Sequence, residues 1–109
     1  MKNEILLQKM YHYTMKLIDY STGYVYDSFT KDTKLVEACV FNLIQLGELC
    51  RVADDKLTEL YPEIPWREIY GLRNRIVHDY EGVNLKLVWE IISEDIPELK
   101  DTLEQCMSA

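Results

Sequence analysis

Ten consecutive residues, Gly71-Leu72-Arg73-Asn74-Arg75-Ile76-Val77-His78-Asp79-Tyr80, concentrate the side chains best suited to chemistry. Arg73 supplies a guanidinium, Asn74 an amide, His78 an imidazole and Tyr80 a phenol. An imidazole titrates near neutral pH and so takes or gives a proton there. A guanidinium grips a phosphate through two parallel hydrogen bonds and offsets negative charge that develops in a transition state. Together these groups suit phosphodiester cleavage. Spacing sets a condition on that reading. Five residues of ideal helix leave Arg73 and His78 about 140° apart around the axis. They converge on one phosphate only if the helix unwinds before His78, or if a two-fold axis pairs the stretches of two chains. On spacing alone a plain helix end is the simpler account, with His78 near the last carbonyls and Arg75 and Asp79 as an i,i+4 pair.

Other candidates weigh less. His12 lies between Tyr11 and Tyr13 with no second ligand at a metal spacing, and reads as an ordinary surface or partly buried histidine. Asp54, Asp55 and Glu59 form an acidic cluster, but a solvated helix start explains it more simply than a cation site. Trp66 and Trp89 could stack on bases, yet both fall on apolar stripes and read as packing residues. The chain contains no P-loop, no Gly-rich dinucleotide turn and no G-x-S-x-G. No metal site and no cofactor are expected.

The elements that must position Arg73 and His78 read as helices. Only four glycines and three prolines leave little punctuation for an all-β chain. Leu6, Met10, Tyr13 and Leu17 recur at helical spacing over about residues 2–21, and Gly23 is a plausible stop. Residues 24–29, Tyr-Val-Tyr-Asp-Ser-Phe, read as a loop or short extended stretch. A second, more apolar helix spans roughly Lys34 to Ala53, with Asp32 or Thr33 as its cap. Gly47 inside it costs about 1 kcal/mol relative to alanine unless close packing compensates. Asn42, Gln45, Glu48 and Arg51 lie three apart on that helix. A solvated face is the favoured reading there, a polar wall along a groove the other. A short turn follows from Asp54 to Tyr61, ended by Pro62. Pro65 then opens a helix carrying Trp66, Ile69, Leu72 and Ile76, whose pattern fails near His78. Asn84 caps a helix with Leu87, Val88, Ile91 and Ile92, and Asp95-Ile96-Pro97-Glu98 reads as a new helix start before Leu99, Leu103 and Met107. The expected architecture is all-α, a bundle of four or five helices in one domain over residues 1–109.

Composition narrows the function classes. Nineteen acidic against twelve basic residues give a net charge of −7, the wrong sign for an ordinary nucleic-acid-binding domain. Any RNA or DNA function must rest on a local basic site. Hydrophobic residues at 48% suffice for a core, but no apolar run approaches the ~20 residues of a membrane span. The polar start Met1-Lys2-Asn3-Glu4 does not resemble a signal peptide, and Cys39, Cys50 and Cys106 are neither paired in number nor closely spaced. A cytoplasmic protein with reduced thiols and no membrane association is expected.

Arg73, four intervening residues, His78, Asp79 and Tyr80 match the R-x4-H-x-Y motif of HEPN-domain proteins, with polar Asn74 directly after the arginine. The approach from Tyr61-Pro62-Glu63-Ile64-Pro65-Trp66 to Gly71-Leu72, and the exit Gly82-Val83-Asn84-Leu85-Lys86-Leu87-Val88-Trp89 with Asp95-Ile96-Pro97-Glu98-Leu99, resemble the HepT (DUF86) branch. The resemblance implies a HEPN-type helical toxin of a HepT/MntA toxin–antitoxin pair. It implies a homodimeric, metal-independent endoribonuclease that leaves a cyclic phosphate on its RNA, with both motifs facing a shared cleft. Arg73 and His78 would be the catalytic pair and Asn74 a supporting group. Tyr80 would receive AMP from an MntA-like nucleotidyltransferase antitoxin. A second reading stays open: a non-catalytic helical subunit that presents itself or a substrate to a nucleotidyltransferase, which the acidic charge favours.

Overall fold

Apolar periodicity places the first long helix where the sequence predicts it. In the computed structural model, which describes residues 2–78 and 84–108, α1 (Asn3–Ser21) buries Leu6, Leu7, Met10, Thr14 and Leu17 along one face. Gly23, at φ +86°, makes the turn that ends it, a conformation that costs glycine little. The second long helix of the expectation is α3 (Thr33–Val52). Asp32 starts it by accepting a hydrogen bond from the Leu35 amide at 3.0 Å. The same carboxylate takes the Tyr24 hydroxyl at 2.8 Å, and these two donors, the amide first, hold it below the usual carboxylate range.

Between the two lies a correction. The expected loop or extended stretch over residues 24–29 holds only for Tyr24 and Val25; from Tyr26 the chain is a short helix, α2 (Tyr26–Lys31). Ser28 Oγ accepts from the Val25 amide at 3.0 Å and donates back to the Val25 carbonyl at 3.1 Å. That local exchange satisfies the helix start, and it lets Phe29 turn inward. Phe29 is completely buried, its ring 5.0 Å from that of Trp89. Phe29→Ala should therefore cost about 3–5 kcal/mol of stability, read as a lower urea midpoint, and an unchanged midpoint would place the ring outside the core.

Short α4 (Asp55–Leu60) is capped by Asp54, which accepts from the Leu57 amide at 2.8 Å. It leads to α5 (Trp66–His78), and after residue 83 come α6 (Leu85–Glu90), a π-helical turn (Ile91–Asp95) and α7 (Ile96–Ser108). Asn84 caps α6, as expected, at 3.1 Å from the Leu87 amide. The expected new start at Asp95 is absent: the helical path runs from Leu85 to Ser108 without a break, and Asp95 is the last residue of the π turn. Pro97 explains the wide turn. It has no N–H for the Ser93 carbonyl and its ring crowds that oxygen, so the chain widens by one residue just before it. Ile96 N bonds Ile91 O instead. At the end of α7 the buried residue is Cys106, while Met107 is exposed.

Every element among the described residues is helical, so the all-α expectation holds, with more and shorter helices than four or five. Helix α1 packs against both α3 and α7, and α5 lies on α3. Leu43 and Leu46 of α3 floor a cleft of about 670 Å³ between α5 and the π turn with α7. Among the described residues, no helix is long and apolar enough to cross a membrane.

Candidate functional site

The helix that carries the motif begins where Pro65, lacking an N–H of its own, offers its carbonyl to the Ile69 amide at 3.1 Å. Trp66 anchors that end by donating its indole N–H to the Tyr61 carbonyl at 3.0 Å. It is a packing residue, as expected, and so is Trp89 against Phe29. Helix α5 continues through His78. Asp79 and Tyr80 lie outside the described residues, and with them the expected Arg75–Asp79 pair.

That continuity removes one of the two routes by which Arg73 and His78 could meet. The backbone stays helical from one to the other, so the two positions remain about 140° apart around the axis. Within one chain they do not share a face.

Arg73 is seated on α3. A Cβ built on Gly47 would fall inside the Arg73 side chain, overlapping its Cβ, 2.7 Å from its Cγ and 3.3 Å from the Ile69 carbonyl oxygen. Gly47 is thus a notch that receives the aliphatic stem of the arginine, the close packing that offsets its helix cost. One residue on, Glu48 takes the guanidinium: Arg73 Nη2 lies 2.5 Å from Glu48 Oε1. Arg73 Nη1 donates to Asn74 Oδ1 at 2.9 Å. Arg73 Nε is buried and has no partner among the described residues.

Glu48 also accepts from Arg51 Nε at 2.9 Å on its other oxygen. Its carboxyl is held below the usual range, first by the Arg51 hydrogen bond and then by the Arg73 charge, against an opposing push from burial. Two guanidiniums on one carboxylate leave one positive charge, a local basic spot on a chain whose net charge is −7.

The favoured reading of this face of α3 as solvated is corrected. Arg51 is exposed, but Glu48 is paired inward and Asn42 is only 3% exposed. Asn42 Nδ2 donates to the Ala38 carbonyl at 2.7 Å. Residue types three apart on a helix cannot disclose this, because α5 decides which side of α3 is covered. The one available signal was Gly47, a mid-helix glycine directly before an acidic residue. Arg75 does not join Arg73: it lines the cleft toward α7, with Glu68, Asp95 and Glu98.

The remaining candidates supply no rival site. His12 is exposed, edge-on to Tyr13 with ring centroids 5.6 Å apart. Asp54 is a helix cap. Among the described residues no three His, Cys, Asp or Glu side chains converge as a metal site would require. Burial pushes the Cys39 thiol up to about 11 and the Cys50 thiol up to about 12. Neither is a thiolate nucleophile near neutral pH.

A family model described as Ribonuclease HepT-like matches residues 10–106. The chain is 34% identical over 91 residues to a "Putative RNase" of Caldanaerobacter subterraneus subsp. tengcongensis, covering 84% of this chain and 81% of that protein. It is 32% identical over 88 residues to a "Putative RNase" of Methanocaldococcus jannaschii, 81% of each chain. A "Probable ribonuclease HepT" of Thermococcus cleftensis is 35% identical over 80 residues, 73% of each chain. No solved structure matches the chain.

Proposed function

Because this chain belongs to the HepT-like ribonuclease family, we propose that it is a metal-independent endoribonuclease whose catalytic pair is Arg73 and His78. The observation that carries the proposal is the seat of Arg73: a guanidinium fixed at both stem and head, on the same unbroken helix as His78. A cation prepared in this way is what stabilisation of a phosphorane-like transition state calls for, since it costs no reorganisation during the reaction.

In this reading one His78 imidazole takes the proton of the ribose 2′-hydroxyl, and the freed oxygen attacks the adjacent phosphorus. Arg73 balances the added charge on the phosphate, with Asn74 steadying its head. The 5′-oxygen leaves with a proton from a second imidazole or from water, and a 2′,3′-cyclic phosphate remains. The angle between Arg73 and His78 on one helix favours a homodimer, in which each phosphate meets the arginine of one chain and the histidine of the other.

The same proposal makes the chain the toxin of a HepT/MntA-type pair. An MntA-like nucleotidyltransferase would transfer AMP from ATP to the Tyr80 hydroxyl and release pyrophosphate. A phosphodiester there would occupy Arg73 and repel RNA without any change of fold.

Intact mass and RNA cleavage in EDTA, on protein produced with and without such a nucleotidyltransferase, test this directly. Unmodified protein should cleave in EDTA, and a mass gain of one or more AMP units should abolish cleavage. Tyr80→Phe should keep its activity and escape both the mass gain and the silencing. If Tyr80→Phe is silenced as well as wild type, simple sequestration replaces modification. A mass gain without cleavage by either form would instead identify a non-catalytic binding subunit.

A further inference from the structure

We propose that Glu48 is a positioning residue for Arg73: with Gly47 as the seat and Arg51 as the anchor, it fixes the guanidinium in the orientation that cleavage uses. The inference rests on Arg73 acting in catalysis.

The geometry separates the two ends of the arginine. Its stem is fixed where Gly47 leaves no Cβ between α3 and α5. Its head is fixed by Glu48 on Nη2 and by Asn74 on Nη1. Asn74 is the neighbouring residue on α5, so it cannot tie Arg73 to anything beyond that helix. Glu48 alone connects the guanidinium head to α3. A long side chain with many rotamers needs such a tie to present one face repeatedly.

Stability is a weak reason for this pair. Side-chain exposures of 25% for Arg73 and 29% for Glu48 put it in the regime where desolvation offsets most of the Coulomb attraction. Charge gives a second argument. A lone carboxylate beside Arg73 would cancel the cation and repel phosphate. Arg51 removes that penalty by holding the other carboxylate oxygen at 2.9 Å, so the cluster keeps one net positive charge while Glu48 still orients Arg73. An arrangement with a positioning carboxylate and a compensating cation fits an anionic substrate better than it fits a plain salt bridge.

The test compares wild type with Glu48→Gln, which keeps size and loses charge, and Glu48→Asp, which keeps charge and shortens the reach. Glu48→Gln should lower kcat about 10- to 100-fold, the cost expected of a displaced catalytic group, with KM and melting temperature nearly unchanged. Glu48→Asp should recover part of that loss. NMR relaxation of the Arg73 Nε–H should report a restrained group in wild type and a mobile one in Glu48→Gln. The inference is overturned if Arg73 Nε–H stays equally restrained in Glu48→Gln, or if the loss of kcat only tracks a loss of melting temperature. The NMR measurement needs no cleavage, so it judges Glu48 even if the nuclease reading fails. Conversely, full activity of Arg73→Ala overturns that reading without bearing on the tie.

Discussion

His78→Ala should lower the rate of RNA cleavage by roughly 10²–10⁴-fold, the usual worth of one acid–base group, with its melting curve little changed. His78 is the last described residue of α5, and alanine keeps the helical propensity of that position. Arg73→Ala should cost about 10²–10³-fold, as for a transition-state charge stabiliser. The informative experiment mixes the two inactive variants. If one phosphate meets Arg73 of one chain and His78 of another, a mixed dimer of Arg73→Ala and His78→Ala rebuilds one intact site and regains activity. If both groups serve a phosphate from the same chain, every site in the mixture stays broken and no activity returns. Helical continuity from Arg73 to His78 is the reason to expect recovery, because it keeps the two about 140° apart within a chain. Full activity of His78→Ala alone would remove it from the mechanism.

Gly47→Ala should destabilise the fold, against the trend for glycine in a helix. Alanine normally gains about 1 kcal/mol there. Here its methyl would overlap the Arg73 Cβ, which is tied to backbone and cannot swing aside. Helix α5 must back away from α3, and overpacking of that kind costs about 1–3 kcal/mol, occasionally more. Overlap with a Cβ puts the cost in the upper part of that range, so we expect a net loss of roughly 1–2 kcal/mol, seen as a fall in melting temperature of roughly 5–10 °C. A chain of ordinary stability remains folded after such a loss. Cleavage should nevertheless fall about 10²-fold, since the catalytic cation moves with α5. A Gly47→Ala protein as stable and active as wild type would show that the notch is not needed.

What could be read from the residues alone was whatever depends on near neighbours in the chain. The long helices α1 and α3 follow from apolar spacing, and the caps Asp32 and Asn84 are local hydrogen-bonding devices. The candidate stretch from Arg73 to Tyr80 was legible for the same reason, as an ordered set of side chains. Helix α2 was not, because six residues are too few for a period and its identity rests on Phe29 finding Trp89 sixty residues away. By its residues alone Pro97 marks the first turn of a new helix, a role it often takes, and only the neighbouring π turn shows the chain absorbing it without a break.

Glu48 marks the boundary most clearly. Its sequence neighbours describe a polar helical face, and nothing among them says whether water or protein covers it. The answer came from α5, whose Arg73 enters the Gly47 notch across a gap of twenty-six positions in the chain. Local interactions determine which segments become helices and where they begin. The side of each helix that becomes interior, and hence which carboxylate holds the arginine, is decided by packing between segments far apart in sequence, where burial and close approach outweigh local preference.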